Sequence, residues 1–382
     1  MAMKQPPYLT LAALVLSGSA WADSVQYHRH LVLRESPVED LRGRYEISAE
    51  QAKSTLHHRM ARDDQGRLTE VSRAVGDRLT RNEGSFSGFL WWAPQMRIEY
   101  PPGREIRSFY NEAGDRIAAH GGVWRMEFSL DERGRRRALQ YFGEDGQPVD
   151  DAWGIQRYAW EHPSSGVVIE TRFNRKGDPA PLRPDFLFHR VRLEFGRDDL
   201  LDAMVHIDAQ GQITGSPSGA AVEGLSYDPW GNFQRWQIYD TQRRPINGNA
   251  AGVALGEHVP DGLGQVRLMR GFGPQGEERA LAGLEGPIGF EYDPRGNLAR
   301  QRLLAQDGSL REEAVFDYSE DGSRLLMQRF LDAQGRPTSP AGLPPALAGM
   351  VAQRFEYDAR GLRKGVQHLG ADMKPLPLPK RE

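Results

Sequence analysis

Histidines 28, 30, 57 and 58 are the side chains whose type and spacing come closest to a chemical site in this sequence. His28 and His30 stand two residues apart in a strand-like stretch from Val25 to Leu33 and would share one face, a geometry that suits two metal ligands. No third ligand accompanies them. His57 and His58 are adjacent and would point to opposite faces of a strand, so the sequence assigns no metal centre. The second candidate chemistry is recognition by aromatic rings. After residue 22 the chain holds seven tryptophans: Trp91, Trp92, Trp124, Trp153, Trp160, Trp230 and Trp236. Trp124 and Trp160 fall on apolar strand faces and are expected in the core. Trp91 and Trp92 are neighbours and must face opposite ways on a strand, and Trp230 sits in a turn, so these three are the expected binding residues, offering ring faces to sugars or peptides.

Other chemistries are removed by what the sequence lacks. There is no cysteine, which excludes disulfides, thiolate catalysis and thiolate-ligated metals together. No GxSxG elbow, HExxH pair or phosphate-cradling loop occurs, so no catalytic residue and no cofactor is assigned. Aspartates recur in turns, but without the twelve-residue loop or Gly-rich nonapeptide that binds calcium. The formal charge of −3 gives no electrostatic reason to expect nucleic acid as a partner. Arginine outnumbers lysine 43 to 6, which reads as the codon bias of a GC-rich genome.

The elements that would position any site are set by a repeat. An aromatic residue, Asp, two variable residues and Gly recur as Tyr227-Asp228 to Gly231, Tyr292-Asp293 to Gly296 and Tyr357-Asp358 to Gly361. A second version, often followed by Pro, ends at Gly146, Gly177, Gly211 and Gly335, with Arg243 and Met373 standing where the glycine would be. Its positions from 114 to 373 advance by about 32 residues a step, each usually preceded by a first-version turn 11 to 13 residues upstream. In such a turn Asp bonds forward to the backbone, Pro presets φ, and Gly supplies the left-handed conformation of a type I turn closed by a G1 bulge. The segments between alternate as half-buried strands do: Val191, Leu193 and Phe195 against Arg190, Arg192 and Glu194. The expected fold is therefore all-β, tandem antiparallel β-hairpin repeats forming an elongated or curling sheet. One short helix is expected at Ser48, where Ser48-Ala49-Glu50-Gln51 has capping-box spacing.

At these turns the chain resembles the bacterial YD-repeat proteins and, more loosely, MORN-like repeats. The resemblance rests on Tyr227-Asp228 with Gly231-Asn232, Tyr292-Asp293 with Gly296-Asn297, and Tyr357-Asp358 with Gly361, and covers roughly residues 100 to 373. It implies an antiparallel sheet used as scaffold or binding surface and carries over no catalytic residue. YD repeats usually recur with a shorter period, in very large shells.

The first 22 residues read as a secretory signal, with Lys4, an apolar run from Tyr8 to Leu16 too short to span a bilayer, and cleavage after Ala22. The expected organisation is a signal peptide (1–22), an N-terminal β region with the helix (23–95), the hairpin array (96–373) and a Pro-rich tail (374–382). The expected role is a non-catalytic binding or scaffold surface in the periplasm, or outside the cell, with an envelope polymer or protein as partner and no membrane span. A carbohydrate- or peptidoglycan-active hydrolase, with two carboxylates flanking a groove, and an inhibitor or immunity-type protein are the alternatives.

Overall fold

The computed structural model describes residues 24–33, 37–38, 41–81, 93–182, 186–281, 284–340 and 343–377. The expected signal peptide, Trp91, Trp92 and the end of the tail lie outside them. The described chain is one antiparallel sheet of 25 strands with very little helix. Four elements matter below: β1 (Ser24–Leu33), β2 (Leu41–Ile47), β3 (Leu56–Arg62) and β4 (Leu68–Val75). β1 pairs with both β2 and β3, and thereafter neighbours in the ladder follow chain order. The sheet is open, with β2 at one edge and Arg363–Leu369 at the other. The helix, Ala49–Ala52, carries the capping box: Ser48 Oγ accepts from the Gln51 N–H, and Gln51 Oε1 from the Ser48 N–H.

Each part of the Tyr-Asp-x-x-Gly-Asn signature has a separate physical task. Asp293 Oδ1 accepts the N–H groups of Gly296 (2.8 Å) and Asn297 (2.9 Å), holding the turn, and Gly296 takes φ 99°. The register shifts by one residue beside it, between Glu291 and Tyr292, as a G1 bulge requires. The tyrosine hydroxyl then ties each hairpin to the preceding one. Tyr227 donates to Leu201 O (3.0 Å), Tyr292 to Val266 O (2.7 Å) and Tyr357 to Leu325 O (2.7 Å). The amide after the glycine reaches the next hairpin: Gln265 Nε2 donates to Gly296 O (2.9 Å) and Asn297 Nδ2 to Gly322 O (3.1 Å).

The second-version turns occupy the opposite rim and differ from plain hairpin ends. Gly146, Gly177, Gly211 and Gly335 have φ between 75° and 89°, and Arg243 and Met373 adopt the same left-handed conformation at 58° and 61°. The residue after the turn makes a single bridge, as in Phe142↔Pro148, Phe173↔Pro179 and Leu331↔Pro337, and then leaves the ladder. Proline has no N–H with which to continue it. The chain crosses the rim before the next strand begins, for example at Arg157 after Pro148. This detour accounts for a period longer than two strands and two tight turns would need.

The sheet curls. A single apolar cluster runs from Leu31 of β1 and Leu41 of β2 to Ile238, which a flat sheet of this width could not gather. The opposite face carries ion-pair ladders, such as Arg235 and Arg270 both on Glu257 at 2.6 Å across three strands. After one revolution the first-version rim meets the N-terminal strands along a seam. Leu56 N–H donates to Arg295 O (2.8 Å), Thr80 Oγ1 to Ser323 O (2.7 Å), and Arg360 pairs with Asp115 (2.7 Å). The last two contacts span 243 and 245 residues, so at these two points one revolution takes up nearly the same length of chain. At Gly231 and Gly296 a β-carbon would meet the guanidinium groups of Arg44 (2.6 Å) and Arg29 (2.7 Å), and at Gly264 the ring of Tyr45. The turn glycines thus serve close approach as well as backbone conformation.

Candidate functional site

Eight successive strands, from Arg157–Ser164 to Val266–Phe272, enclose a cavity of about 680 Å³ on the inner face. Their alternation aims every second residue inward. Register pairs Tyr158 with Arg172, Met204 with Glu223, Leu225 with Trp236 and His258 with Met269, and all eight line the cavity. Trp153, Phe186, Phe195 and Phe233 complete an aromatic wall, and Pro37, between β1 and β2, closes one side. The volume lies within the range of small-ligand sites, as does the mixture of aromatic surface with few polar groups.

Those polar groups are ordered. Glu170 Oε2 accepts the indole N–H of Trp160 at 2.7 Å, and its other oxygen pairs with Arg172. Arg172 is 1% exposed and donates from Nη1 to Phe188 O (3.0 Å), while its buried Nε–H has no hydrogen-bond partner. Asn249 Oδ1 is likewise buried without a partner. Both atoms belong to residues of the cavity wall but are themselves buried from solvent. His258 packs edge-on against Phe233, ring centroids 5.0 Å apart, and burial lowers its pKa to about 4, so it is neutral near pH 7.

The tryptophans separate. Trp160 is buried as expected, whereas Trp124 lies just before its strand and is only half-buried. Trp230 projects from its turn at 72% exposure, away from the cavity. Trp153 and Trp236 line the cavity, although the sequence had not singled them out. The available signal was Gly256, opposite Trp236 in register: a β-carbon there would overlap the indole. The histidines also regroup. His28 and His58 are cross-strand partners, so His58 stands beside the His28–His30 pair, for which the sequence offers no third ligand. Among the described residues no group of three or more His, Asp or Glu stands close enough to hold a metal ion. Nor, among them, is any helix long and apolar enough to cross a membrane.

No family model matches the chain, and no curated protein matches it. Similar solved structures include TcdB2-TccC3 without its hypervariable C-terminal region, at 11% identity over 91% of this chain and 21% of that one, TM-score 0.30. TcdB2-TccC3-TEV matches at 10% identity over 85% of this chain and 19% of that one, TM-score 0.22. The chain thus spans about a fifth of the length of these two. A porin-like protein from Bacteroides uniformis matches at 10% identity over 81% of this chain and 96% of that one, TM-score 0.21. Superpositions this loose carry no inference about function.

Proposed function

We propose that the protein is a non-catalytic binding shell of the cell envelope, exported by its N-terminal signal, whose inner cavity takes a ring-bearing segment of an envelope polymer or protein. The supporting observation is the convergence of Trp153, Tyr158, Phe233 and Trp236 on one cavity whose wall also holds Arg172 and Asn249. Aromatic walls with few polar groups suit a sugar or aromatic side chain that stacks and makes a few directed hydrogen bonds. Trp230 remains a proposed outer contact, and Trp91 and Trp92 remain proposed binding residues. Glu170 and Glu223 both line the cavity, which is what a hydrolase would need. Both Glu170 oxygens are already engaged by Trp160 and Arg172, and this favours binding over acid–base work.

The test is titration of the purified mature protein with peptidoglycan fragments, a glycan panel and aromatic peptides, followed by tryptophan fluorescence and calorimetry. Saturable binding by one class, weakened at least tenfold in Trp236→Ala, is expected. Absence of any saturable response would refute the reading, as would turnover of labelled peptidoglycan by the wild type.

A further inference from the structure

The seam that closes the spiral is built from groups that fit poorly at rest. Tyr45, whose ring packs on Gly264, holds φ 56°, a left-handed conformation that non-glycine residues seldom adopt. Beneath it, His28 Nδ1, His30 Nδ1 and both ring nitrogens of His58 are buried without hydrogen-bond partners. Buried polar groups left unsatisfied are uncommon and mark strain or function. All three histidines belong to β1 and β3, the strands that meet the C-terminal turns. His30 follows Arg29, whose guanidinium packs on Gly296, and pairs in register with Arg44, which packs on Gly231.

We propose that this seam is an acid-operated closure: proton uptake by His28, His30 and His58 frees β1, β2 and β3 from the turns at Gly231, Gly264 and Gly296 and so unseals the interior. Pro37 lines the cavity from between β1 and β2, so movement of these strands uncovers it. The proposal does not depend on what the cavity holds.

The charges facing the group explain the direction. His58 faces Arg73 of β4, His28 and His30 of β1, and His57 of its own strand. His28 faces Glu46 of β2 and Arg62 of β3, and His30 faces Arg44 of β2 and Asp261 of the opposing turn. Cations outnumber anions, so protonation adds positive charge where it is already in excess. Burial lowers the pKa of all three, reinforced by Arg44 at His30, which falls to about 4, and by Arg73 at His58, and opposed by Glu46 at His28. On exposure each regains a value near 6.5, so opening gains up to a factor of about ten per histidine for each pH unit below that value. The ion pairs of the seam do not titrate in this window. Hydrogen bonds from Ser319 and Ser323 and the charge of Arg78 outweigh burial to hold Asp321 at about 2, and the hydrogen bond from Arg360 lowers Asp115.

Hydrogen exchange of the full-length mature protein, read by mass spectrometry as protection factors at pH 7.5, 6.0 and 4.5, tests this. Peptides covering residues 24–62 and the turns at 228–232 and 293–297 are expected to lose at least tenfold in protection by pH 4.5, while residues 125–173 keep theirs. In His28→Gln/His58→Gln the loss should move to lower pH, and in the control His258→Gln it should not move. Protection of the seam retained at pH 4.5, or lost together with residues 125–173, would overturn the proposal. Loss at the wild-type pH in the double variant would do the same. If the double variant does not fold, the wild-type segments and single His30→Gln decide.

Discussion

The indole of Trp236 fills the space that a side chain on its cross-strand partner Gly256 would need. Any larger residue at 256 must displace the ring, and the cavity it lines is the nearest free volume. Gly256→Val is therefore expected to lose about 1–3 kcal/mol through overpacking and to shrink the cavity. Thermal unfolding followed by tryptophan fluorescence checks this, and an unchanged midpoint and emission maximum would show that the ring is not held there.

The tyrosine of the repeat motif acts between hairpins rather than within its own. Removing the hydroxyl in Tyr292→Phe leaves Val266 O without that bond, at an expected cost of about 0.5–1.5 kcal/mol. In Tyr357→Phe the affected hairpin is the last in the sheet, so the effect should be local: faster exchange of residues 352–369 with little change in the overall unfolding midpoint. Equal exchange in wild type and variant would remove the tie from the account.

Two turn glycines separate conformational strain from contact. Gly335 has φ 75° and open space around it, whereas Gly296 has φ 99° and the Arg29 guanidinium against it. Alanine at either position meets the left-handed penalty of roughly 1–2 kcal/mol. Only Gly296→Ala should also disturb the seam, so it should destabilise by at least about 1 kcal/mol more than Gly335→Ala. Denaturant titrations of the two variants give the difference directly, and equal values would mean that Arg29 simply moves aside.

Stability should fall in mild acid. Burial holds His30 and His258 at about 4 in the folded chain, Arg44 adding to the effect at His30, whereas exposed imidazoles titrate near 6.5. Between pH 6.5 and 4 the unfolded chain binds protons that the folded one refuses, so folding is weakened as pH decreases and nothing is lost above 6.5. Each histidine contributes a slope of up to about 1.4 kcal/mol per pH unit. Melting temperatures measured from pH 8 to 4.5 should be flat and then fall, less steeply in His258→Gln. A midpoint that stays level down to pH 5 would contradict the assignment.

The turn chemistry was legible because it is local. Asp293 holds the N–H groups of Gly296 and Asn297 within five residues, and even Arg243 and Met373, which lack the glycine, follow from spacing alone. What was hidden depends on partners far along the chain. His58 was set aside because it adjoins His57, yet the register of β1 against β3 brings it to His28. Trp236 joins Trp153 only because the sheet curls, and curvature accumulates from small twists that no single segment encodes. Prolines such as Pro148 were read as turn markers, and their second effect, ejecting the chain from the ladder, emerges only once the neighbouring strand is known.

Where Thr80 meets Ser323 and Asp115 meets Arg360, coils 243 and 245 residues apart behave like meshed gears. Inserting or deleting one repeat anywhere between Thr80 and Ser323 would shift every later tooth against its mate, undoing all the contacts beyond it at once. A unit added past Arg360, the last of these contacts, would leave them all in place.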